Sequence, residues 1–216
     1  MTGIINQHSR AQRHLRADGE RTRGAILHAA VSLATVEGLE GLSIGHLAAA
    51  IGMSKSGLYA HFGSKQELQL ATVEEAERIF AEEVVQPALA ARPGLAQLAA
   101  VCEAYFGYLQ RRVFPGGCFF AVTALEMGTR PGPVKERVAA IQSGFAALLR
   151  GFAATALEQH ELPAREDPDR LAFELHAILL AADAKFVLLD DPTVLDLARQ
   201  VVHQRLGLGN GDAGEV

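Results

Sequence analysis

The residues from Ile51 to Leu68, IGMSKSGLYAHFGSKQEL, carry the strongest structural signal in this chain. Side chains that donate hydrogen bonds or carry positive charge are concentrated there: Ser54, Lys55, Ser56, Tyr59, His61, Ser64 and Lys65. Met53, Leu58 and Phe62 recur among them at helical spacing. The stretch therefore predicts a short helix that presents one apolar face and one face of donors.

Signals for helix ends flank this stretch on both sides. Upstream, Ser43 stands where an N-cap is expected before IGHLAAAI, and Gly52 follows as a stop. Ser54 is the next N-cap candidate, for the short helix KSGLYAHF. Ser64, with Glu67 three residues later, has the pattern of a capping box, and the helix that it starts is expected to run to Pro87. Two short helices joined by GMS fit a helix-turn-helix.

The remaining chain also has the composition of packed helices. It has 216 residues, of which 49% are hydrophobic but only 6% aromatic, and it has no Trp. No segment alternates as a strand does, and proline occurs in every break between the later helical patterns. We expect an all-α fold of about nine helices, with later helices near 94–113, 117–129, 133–160, 168–189 and 192–206.

Charge is distributed unevenly along the sequence. The net charge is −5, yet residues 1–65 have a net charge of +3 and residues 66–216 have −8. Five of the eight histidines also fall in the first part. This split indicates an N-terminal region that faces nucleic acid and a larger body with a different role.

The second helix of a helix-turn-helix enters the major groove of DNA, and its first residues meet the base edges. Lys55 can donate to guanine, Ser56 can donate or accept, and Gly57 allows the backbone to approach closely. Tyr59, His61 and Lys65 suit phosphates, and Ser43, Ser54 and Ser64 cap helices whose first amides can face phosphate oxygens. The alternative is that these side chains form an ordinary solvated helix face.

The segments ILHAAVSLATVEG, LSIGHLAAAIGMSKSGLYAHF and SKQEL together resemble the N-terminal domain of the tetracycline-repressor (TetR) family over residues 22–68. The resemblance implies a three-helix DNA-binding domain followed by a helical body that dimerises and often binds a small molecule. It assigns base reading to Lys55, Ser56 and Gly57. It assigns phosphate contacts to Tyr59, His61 and Lys65, and the start of the second helix to Ser43.

Four regions follow from these patterns. Residues 1–20 are polar and basic and are interpreted as a flexible arm, and 21–66 as the helix-turn-helix domain. Residues 67–207 are interpreted as the helical ligand-binding and dimerisation domain, and 208–216 as a flexible tail. The chain has no signal-peptide core and no run of eighteen apolar residues, so we expect a cytoplasmic protein without a membrane span.

The last two long helices are the expected surface of a homodimer that binds double-stranded operator DNA. Apolar residues form a stripe on each of them: Leu171, Leu175, Ile178, Leu179 and Ala182 on the first, and Val194, Leu197, Ala198, Val201 and Val202 on the second. Two such pairs of helices make a four-helix bundle with two-fold symmetry. The alternative is that these stripes belong to the core of one subunit.

A small apolar or amphipathic effector is expected in the helical body. The candidate residues are aromatic, adaptable or polar side chains on the middle helices: Tyr105, Phe106, Cys118, Phe119, Phe120, Glu126, Met127, Phe145, Phe152, His176 and Asp183. Most of these aromatic residues can equally be core residues. A regulator that binds no ligand is an alternative hypothesis.

The sequence offers no catalytic, metal-binding or cofactor motif. Glu174 and His176 are two residues apart, so they lie on different sides of a helix and do not form a metal pair. A nucleophile elbow, a phosphate loop and a dinucleotide fingerprint are all missing from the sequence, so an enzyme is the weaker hypothesis. Of the two cysteines, Cys118 stands at a helix start, where a helix dipole can lower the pKa of a thiol. An inert buried thiol is the alternative to a redox role.

Overall fold

The computed structural model of the chain describes residues 3–209, with side chains from residue 19 onward. All regular structure in this range is helical, as predicted. The helices are α1 (Gly3–Glu37), α2 (Ile44–Ala50), α3 (Lys55–Phe62), α4 (Lys65–Phe80), α5 (Gln86–Ala90), α6 (Leu95–Gln110), α7 (Phe119–Met127), α8 (Pro133–Glu158), α9 (Pro168–Leu189) and α10 (Thr193–Leu206).

The first helix is longer than the sequence predicts. It includes residues 3–20, for which we expected a flexible arm, so the helical backbone of this segment was not predicted. This segment has no proline, and its three Arg, two Gln and two Ala residues favour helix. Because the later part of α1 is already fixed by packing, each added turn extends an existing helix rather than nucleating a new one.

The other end of the chain is described only as far as Gly209. Leu208 packs against the core, and its amide donates a 2.9 Å hydrogen bond to the carbonyl of His203. Order therefore reaches into the predicted tail of 208–216. The rest of that tail, residues 210–216, lies outside the described residues.

Three serine caps set the geometry of the N-terminal helices. The Ser43 hydroxyl accepts a hydrogen bond from the amide of His46 at 3.2 Å, and Ser54 accepts one from Gly57 at 3.1 Å. Ser64 likewise accepts one from Glu67 at 3.1 Å. The predicted starts of α2, α3 and α4 are thereby confirmed. Their inward-facing leucines, Leu47, Leu58 and Leu68, are fully buried together with α1 residues such as Ala30 and Ala34.

Pro87 does not end the helix that Ser64 starts. The helix continues through a π-helical turn, Ala81–Val85, into α5, so the prediction of a stop at Pro87 is wrong. Proline has no amide to donate and clashes with the carbonyl four residues earlier. The wider π turn before Pro87 relieves both conflicts, so α4, the π turn and α5 form one continuous helix. If α4 and α5 are counted as one helix, the described residues form nine helices.

The C-terminal body is an assembly of helices around an aromatic core. α8 packs against α4, α6, α7 and α9, and α10 packs against α6 and α9. The Phe80 ring makes edge-to-face contacts with Tyr105, Tyr108, Phe120 and Phe145, at centroid distances of 5.1–6.2 Å. Among the described helices, α8 alone is long and apolar enough to cross a membrane by length and composition. Here it packs against four other helices of the body.

The apolar stripes predicted for the dimer surface are mostly core. Leu171, Leu175, Leu179 and Ala182 of α9, and Ala198 and Val202 of α10, are buried within the subunit. A second apolar row on α9 is exposed instead: Phe173, Ala177, Ala181, Ala184 and Leu188. Leu197 and Val201 of the predicted α10 stripe are exposed as well. The prediction chose the wrong face because α9 is apolar on two faces, and the sequence pattern does not rank them.

Candidate DNA-binding surface and ligand cavities

The face of α3 turned away from the core carries the predicted donors. Ser54, Lys55, Ser56 and His61 are exposed, and Tyr59 is 58% exposed, whereas Leu58 and Phe62 of the same helix are buried. Lys55, Ser56 and Tyr59 border an open cleft whose opposite side is Ile44 and Gly45 of α2. The structure thus places most of the predicted DNA-binding residues on one continuous surface of α2 and α3.

Two glycines shape this surface. A Cβ atom at Gly45 would stand 3.0 Å from Cε of Lys55, so the lysine chain lies close to the backbone of α2 at this glycine. A Cβ atom at Gly57 would stand 3.1 Å from the Ser54 hydroxyl that caps α3. A larger residue at either position would displace a side chain of this surface.

The C-terminal end of α3 is fixed by α1. The Arg23 guanidinium lies over the Phe62 ring at 4.6 Å and donates a 3.2 Å hydrogen bond to the His61 carbonyl. Sequence analysis did not identify this contact, because its partners are 38 residues apart. Cation–π stacking at a helix end holds the orientation of α3 relative to the first helix.

Lys65 is paired with an acidic side chain, although its predicted role is to contact a DNA phosphate. Its ammonium donates a 2.7 Å hydrogen bond to Glu40, and this contact lowers the pKa of the Glu40 carboxyl. His46 has a similar neighbour, because its Nδ1 lies 3.2 Å from Glu37. In the structure, both basic groups lie beside acidic side chains at the end of α1 and in the following loop.

Glu126 of α7 holds the loop between α1 and α2. Its carboxylate accepts hydrogen bonds from the amides of Leu39 at 2.7 Å and Glu40 at 2.8 Å. A Cβ atom at Gly38 would stand 2.9 Å from the same carboxylate, and Gly38 has a positive φ of 83°. Glu126 was predicted as a ligand contact, but its two oxygens are already engaged by the N-terminal domain.

A second contact between the two parts of the chain precedes α7. The amide of Gly116 donates to the Thr35 hydroxyl at 3.2 Å, and a Cβ atom at Gly116 would clash with the Thr35 carbonyl. The Phe114 ring packs on His28 at 5.6 Å. α1 is therefore attached to both ends of the segment that contains α7.

Five predicted ligand residues meet around a small inner cavity. Its volume is about 10 Å³, which is room for about one water molecule. The residues that line it are Phe80, Tyr105, Cys118, Phe120, Ala121, Ile141, Gln142, Phe145, His176 and Leu180. The Tyr105 hydroxyl is buried and makes no hydrogen bond of ordinary geometry within the described part of the chain. Burial also lowers the pKa of His176.

The other predicted ligand residues have different surroundings. Phe106 is buried with the Arg199 guanidinium 5.6 Å from its ring centre, and Phe119 packs against Phe120. Met127 borders a surface hollow with Glu40 and Lys65, on the side of the N-terminal domain. None of these three residues lines the inner cavity, although Phe119 contacts Phe120, which does.

A larger groove lies outside the inner cavity and shares three of its residues, Ala121, Gln142 and Leu180. Its volume is about 390 Å³, within the usual range of small-molecule sites. The remaining residues that line it come from the segment before α7, from α7 and from α9: Gly116, Val122, Ala124, Leu125, Asp183, Ala184, Val187 and Leu188. Sequence analysis missed Gln142, although its isolated position in AAIQSGF was a detectable signal.

Asp183 is the one acidic residue of this groove. It is 3% exposed, and both carboxylate oxygens lie 3.3 Å from the amide nitrogen of Cys118, which donates to them. No cation pairs with Asp183 among residues 19–209. Burial raises the pKa of the Asp183 carboxyl to about 7.

The cysteines do not have the properties of reactive thiols. Both are buried, and burial raises the pKa of Cys118 to about 11 and that of Cys102 to about 12. A helix dipole therefore does not lower the Cys118 pKa, because burial and the nearby Asp183 outweigh it, and the structure agrees with the alternative of a buried thiol. Within the described range, no three His, Cys, Asp or Glu residues are grouped as metal ligands would be.

Comparison with known proteins agrees with this architecture. Residues 26–72 match the family model described as bacterial regulatory proteins, tetR family. Residues 94–202 match the one described as tetracyclin repressor-like, C-terminal domain. No curated protein matches the sequence.

Solved structures of similar fold are transcriptional regulators rather than enzymes. A TetR regulator from Chloroflexus aurantiacus is 27% identical, with a TM-score of 0.81 over 88% of this chain and 96% of that one. A TetR-family regulator from Streptomyces coelicolor is 23% identical, with a TM-score of 0.72 over 87% and 94%. AibR, in complex with isovaleryl coenzyme A and operator DNA, is 24% identical, with a TM-score of 0.66 over 84% and 97%. The two family matches cover both the helix-turn-helix domain and more than half of the chain as its helical body, and the chain therefore belongs to the TetR family of transcriptional regulators.

Proposed function

We propose that this protein is a cytoplasmic, ligand-responsive repressor that binds a palindromic operator as a homodimer. The observation that carries the proposal is the surface of α3, where Lys55, Ser56 and Tyr59 are exposed beside α2 while Leu58 and Phe62 anchor the helix. This is the arrangement of a recognition helix, with its first residues free to meet base edges.

The exposed residues divide into two roles. Lys55, Ser56 and Gly57 form the first turn of α3, which inserts deepest into the major groove of the DNA and reads bases. Tyr59 and His61, farther along the helix, contact phosphates together with the serine-capped helix ends at Ser43, Ser54 and Ser64. Lys65 also contacts a phosphate on DNA, and its hydrogen bond to Glu40 breaks when it does so. Phosphate is the stronger competitor because contact with DNA also releases condensed counterions.

The proposed homodimer rests on the exposed apolar faces of α9 and α10. Phe173 is 75% exposed, Leu188 81% and Leu197 61%. An apolar row of this length is unusual on the surface of a monomer and is typical of a protein interface. Paired across a two-fold axis, the two helices of each subunit form a four-helix bundle, which would set the two α3 helices about 34–36 Å apart on successive major grooves.

The proposed effector site is the inner cavity together with the groove outside it. An effector there lies between α7, α8 and α9, and α7 is bonded to the N-terminal domain through Glu126. The effector lowers DNA affinity by binding more tightly to a state in which the spacing of the two α3 helices is wrong. AibR, whose fold is similar, was solved with both an effector and operator DNA, which supports a chain of this fold having both sites.

Selection from a pool of random duplexes tests the proposal. The purified protein should enrich an inverted repeat, and sedimentation of the complex should show two protomers for each duplex. Enrichment of no sequence at moderate salt would contradict the function, whereas a single half-site bound by one protomer would contradict the dimer.

A regulator without an effector is the second candidate, favoured by the small volume of the inner cavity. It predicts that no small molecule alters DNA affinity. It also predicts that a substitution that fills the groove, such as Ala124→Phe, leaves regulation in cells unchanged.

A further inference from the structure

The groove beside α7 combines an apolar lining with one buried carboxylate that has no cationic partner among residues 19–209. Of the eleven residues that line it, nine are Gly, Ala, Val or Leu, Gln142 is polar but uncharged, and Asp183 alone is ionisable. Lys, Arg and His are missing from its lining. The groove therefore offers a large apolar contact and a single polar end.

The Asp183 carboxylate is poorly compensated in the ligand-free state. Its one hydrogen-bond donor within the described residues is the Cys118 amide, at a long distance of 3.3 Å to each oxygen. A buried carboxylate that accepts so few hydrogen bonds is unfavourable in its ionised form, and burial accordingly raises the pKa of Asp183. A ligand that brings a positive charge and N–H donors would remove this cost, whereas an anion would add to it.

The groove is better suited to a small molecule than to a second copy of the chain. A buried, unpaired charge is unfavourable at the centre of a protein interface, where charged residues are depleted. Its volume of about 390 Å³ suits a compact ligand, and only two residues of the apolar row that we assign to the dimer, Ala184 and Leu188, belong to its lining.

From these observations we propose that the effector is a lipophilic ammonium compound, whose charged head pairs with Asp183 and whose apolar body lies in the groove between α7 and α9. The inference rests on the proposed function, since it names the ligand class of that effector site. Acyl-coenzyme A thioesters fit this groove less well, because its lining offers no Lys, Arg or His to their phosphates.

The same site connects the ligand to the DNA-binding domain. The ammonium head competes with the Cys118 amide for the Asp183 oxygens, and this amide lies at the start of α7. At the other end of α7, Glu126 holds the amides of Leu39 and Glu40. A shift of α7 on binding therefore acts directly on the loop between α1 and α2.

Three eight-carbon probes of equal length test the proposal by titration calorimetry on the full chain: n-octylammonium, 1-octanol and octanoate. At pH 8 the amine is still protonated and Asp183 is ionised, since their pKa values are about 10 and about 7. We expect n-octylammonium to bind about tenfold or more tightly than 1-octanol, as a charged hydrogen bond allows, and octanoate to bind more weakly than both.

Two variants locate the site. Asp183→Asn keeps an acceptor for the Cys118 amide and should bring the amine and the alcohol to within about twofold of each other, as the charge is lost. The matched control, Asp169→Asn, changes an exposed carboxylate on the same helix and should keep the wild-type preference. Ala124→Phe fills the groove from α7, so it should abolish binding of all three probes, and it tests the site independently if Asp183→Asn does not fold.

The proposal is overturned if the alcohol binds as tightly as the amine, if the preference survives Asp183→Asn, or if Ala124→Phe leaves binding intact. Binding of the ligand-free protein to a selected duplex is measured in parallel. Loss of the amine preference with DNA binding intact would refute only the ligand class, whereas absence of DNA binding would refute the proposed function itself.

Discussion

The Glu126 carboxylate of α7 accepts a 2.7 Å hydrogen bond from the backbone amide of Leu39, in the loop that joins α1 to α2. The second carboxylate oxygen binds the neighbouring amide, that of Glu40. Leu39 is fully buried, so removing Glu126 takes away the charged acceptor of a backbone amide that has little contact with solvent. This contact connects the helical body to the domain that carries α3.

Glu126→Ala should destabilise the protein and weaken the connection between the two domains. Two amides lose a charged acceptor, which costs about 2 kcal/mol and lowers the melting temperature by about 4–8 °C in a chain of this size. Calorimetric melting measures this change. Glu158→Ala, at the exposed end of α8, is the control, and an equal loss in both variants would show that Glu126 has no special role.

Tyr59→Ala should weaken binding to every duplex by a similar factor. The hydroxyl is expected to donate to a phosphate, and losing one such hydrogen bond costs about 1 kcal/mol, or roughly fivefold in affinity. Fluorescence anisotropy with the selected operator and with unrelated DNA measures both affinities. A loss confined to the operator would instead place Tyr59 among the base-reading residues.

Lys65→Ala tests whether Lys65 exchanges Glu40 for a phosphate on DNA. If it does, the slope of log affinity against log salt becomes shallower by about one. Lys185→Ala, which removes an exposed lysine of α9, should leave the slope unchanged. A wild-type slope in Lys65→Ala would mean that the lysine stays paired with Glu40.

Leu197→Glu should convert the dimer into monomers. The residue is exposed in the single chain, so the charge is tolerated there, but it would be buried without a partner in the proposed bundle. Sedimentation velocity measures the mass, and Leu89→Glu on α5 is the exposed control. A dimer that survives Leu197→Glu would contradict the proposed interface.

Asp183 should make the stability of the protein fall as the pH rises. Its folded pKa of about 7 lies above the ordinary value of 3.8, so the folded state binds more protons between these two pH values. The nearby Tyr105, Tyr108 and Cys118 stay neutral there, because burial raises their pKa values as well. Wild type should therefore lose up to about 4 kcal/mol relative to Asp183→Asn between pH 4 and 8, measured by urea unfolding. A constant difference between the two proteins would contradict the raised pKa.

Local chemistry explains which parts of the fold were predictable from sequence. Ser43, Ser54 and Ser64 cap their helices through amides only three residues away, so the pattern contains the whole interaction. The continuation of the helix past Pro87 was not predicted, because the π turn that accommodates the proline has no sequence signature. The helical backbone of residues 3–20 was not predicted either, because a helix that is already formed can be extended without an amphipathic period.

The sites were harder to predict because their contacts join distant residues. Glu126 stood out as a polar residue near the end of an apolar helix, but its partner amides lie 86 and 87 residues earlier. Asp183 likewise stood out, yet its position beside Cys118 and the groove depends on the packing of α7 against α9. The apolar stripe predicted on α9 is core, because α9 has two apolar faces and only the packed structure shows which of them is already covered.

In the proposed complex, α3 reads base sequence twice, once in each half of a symmetric operator. Parallel selections from one random duplex pool with wild type and Lys55→Ala test this reading. We expect an inverted repeat for wild type, with the preference lost or altered for Lys55→Ala at the same position of both half-sites. An identical consensus for the two proteins, or a change in one half-site alone, would contradict it.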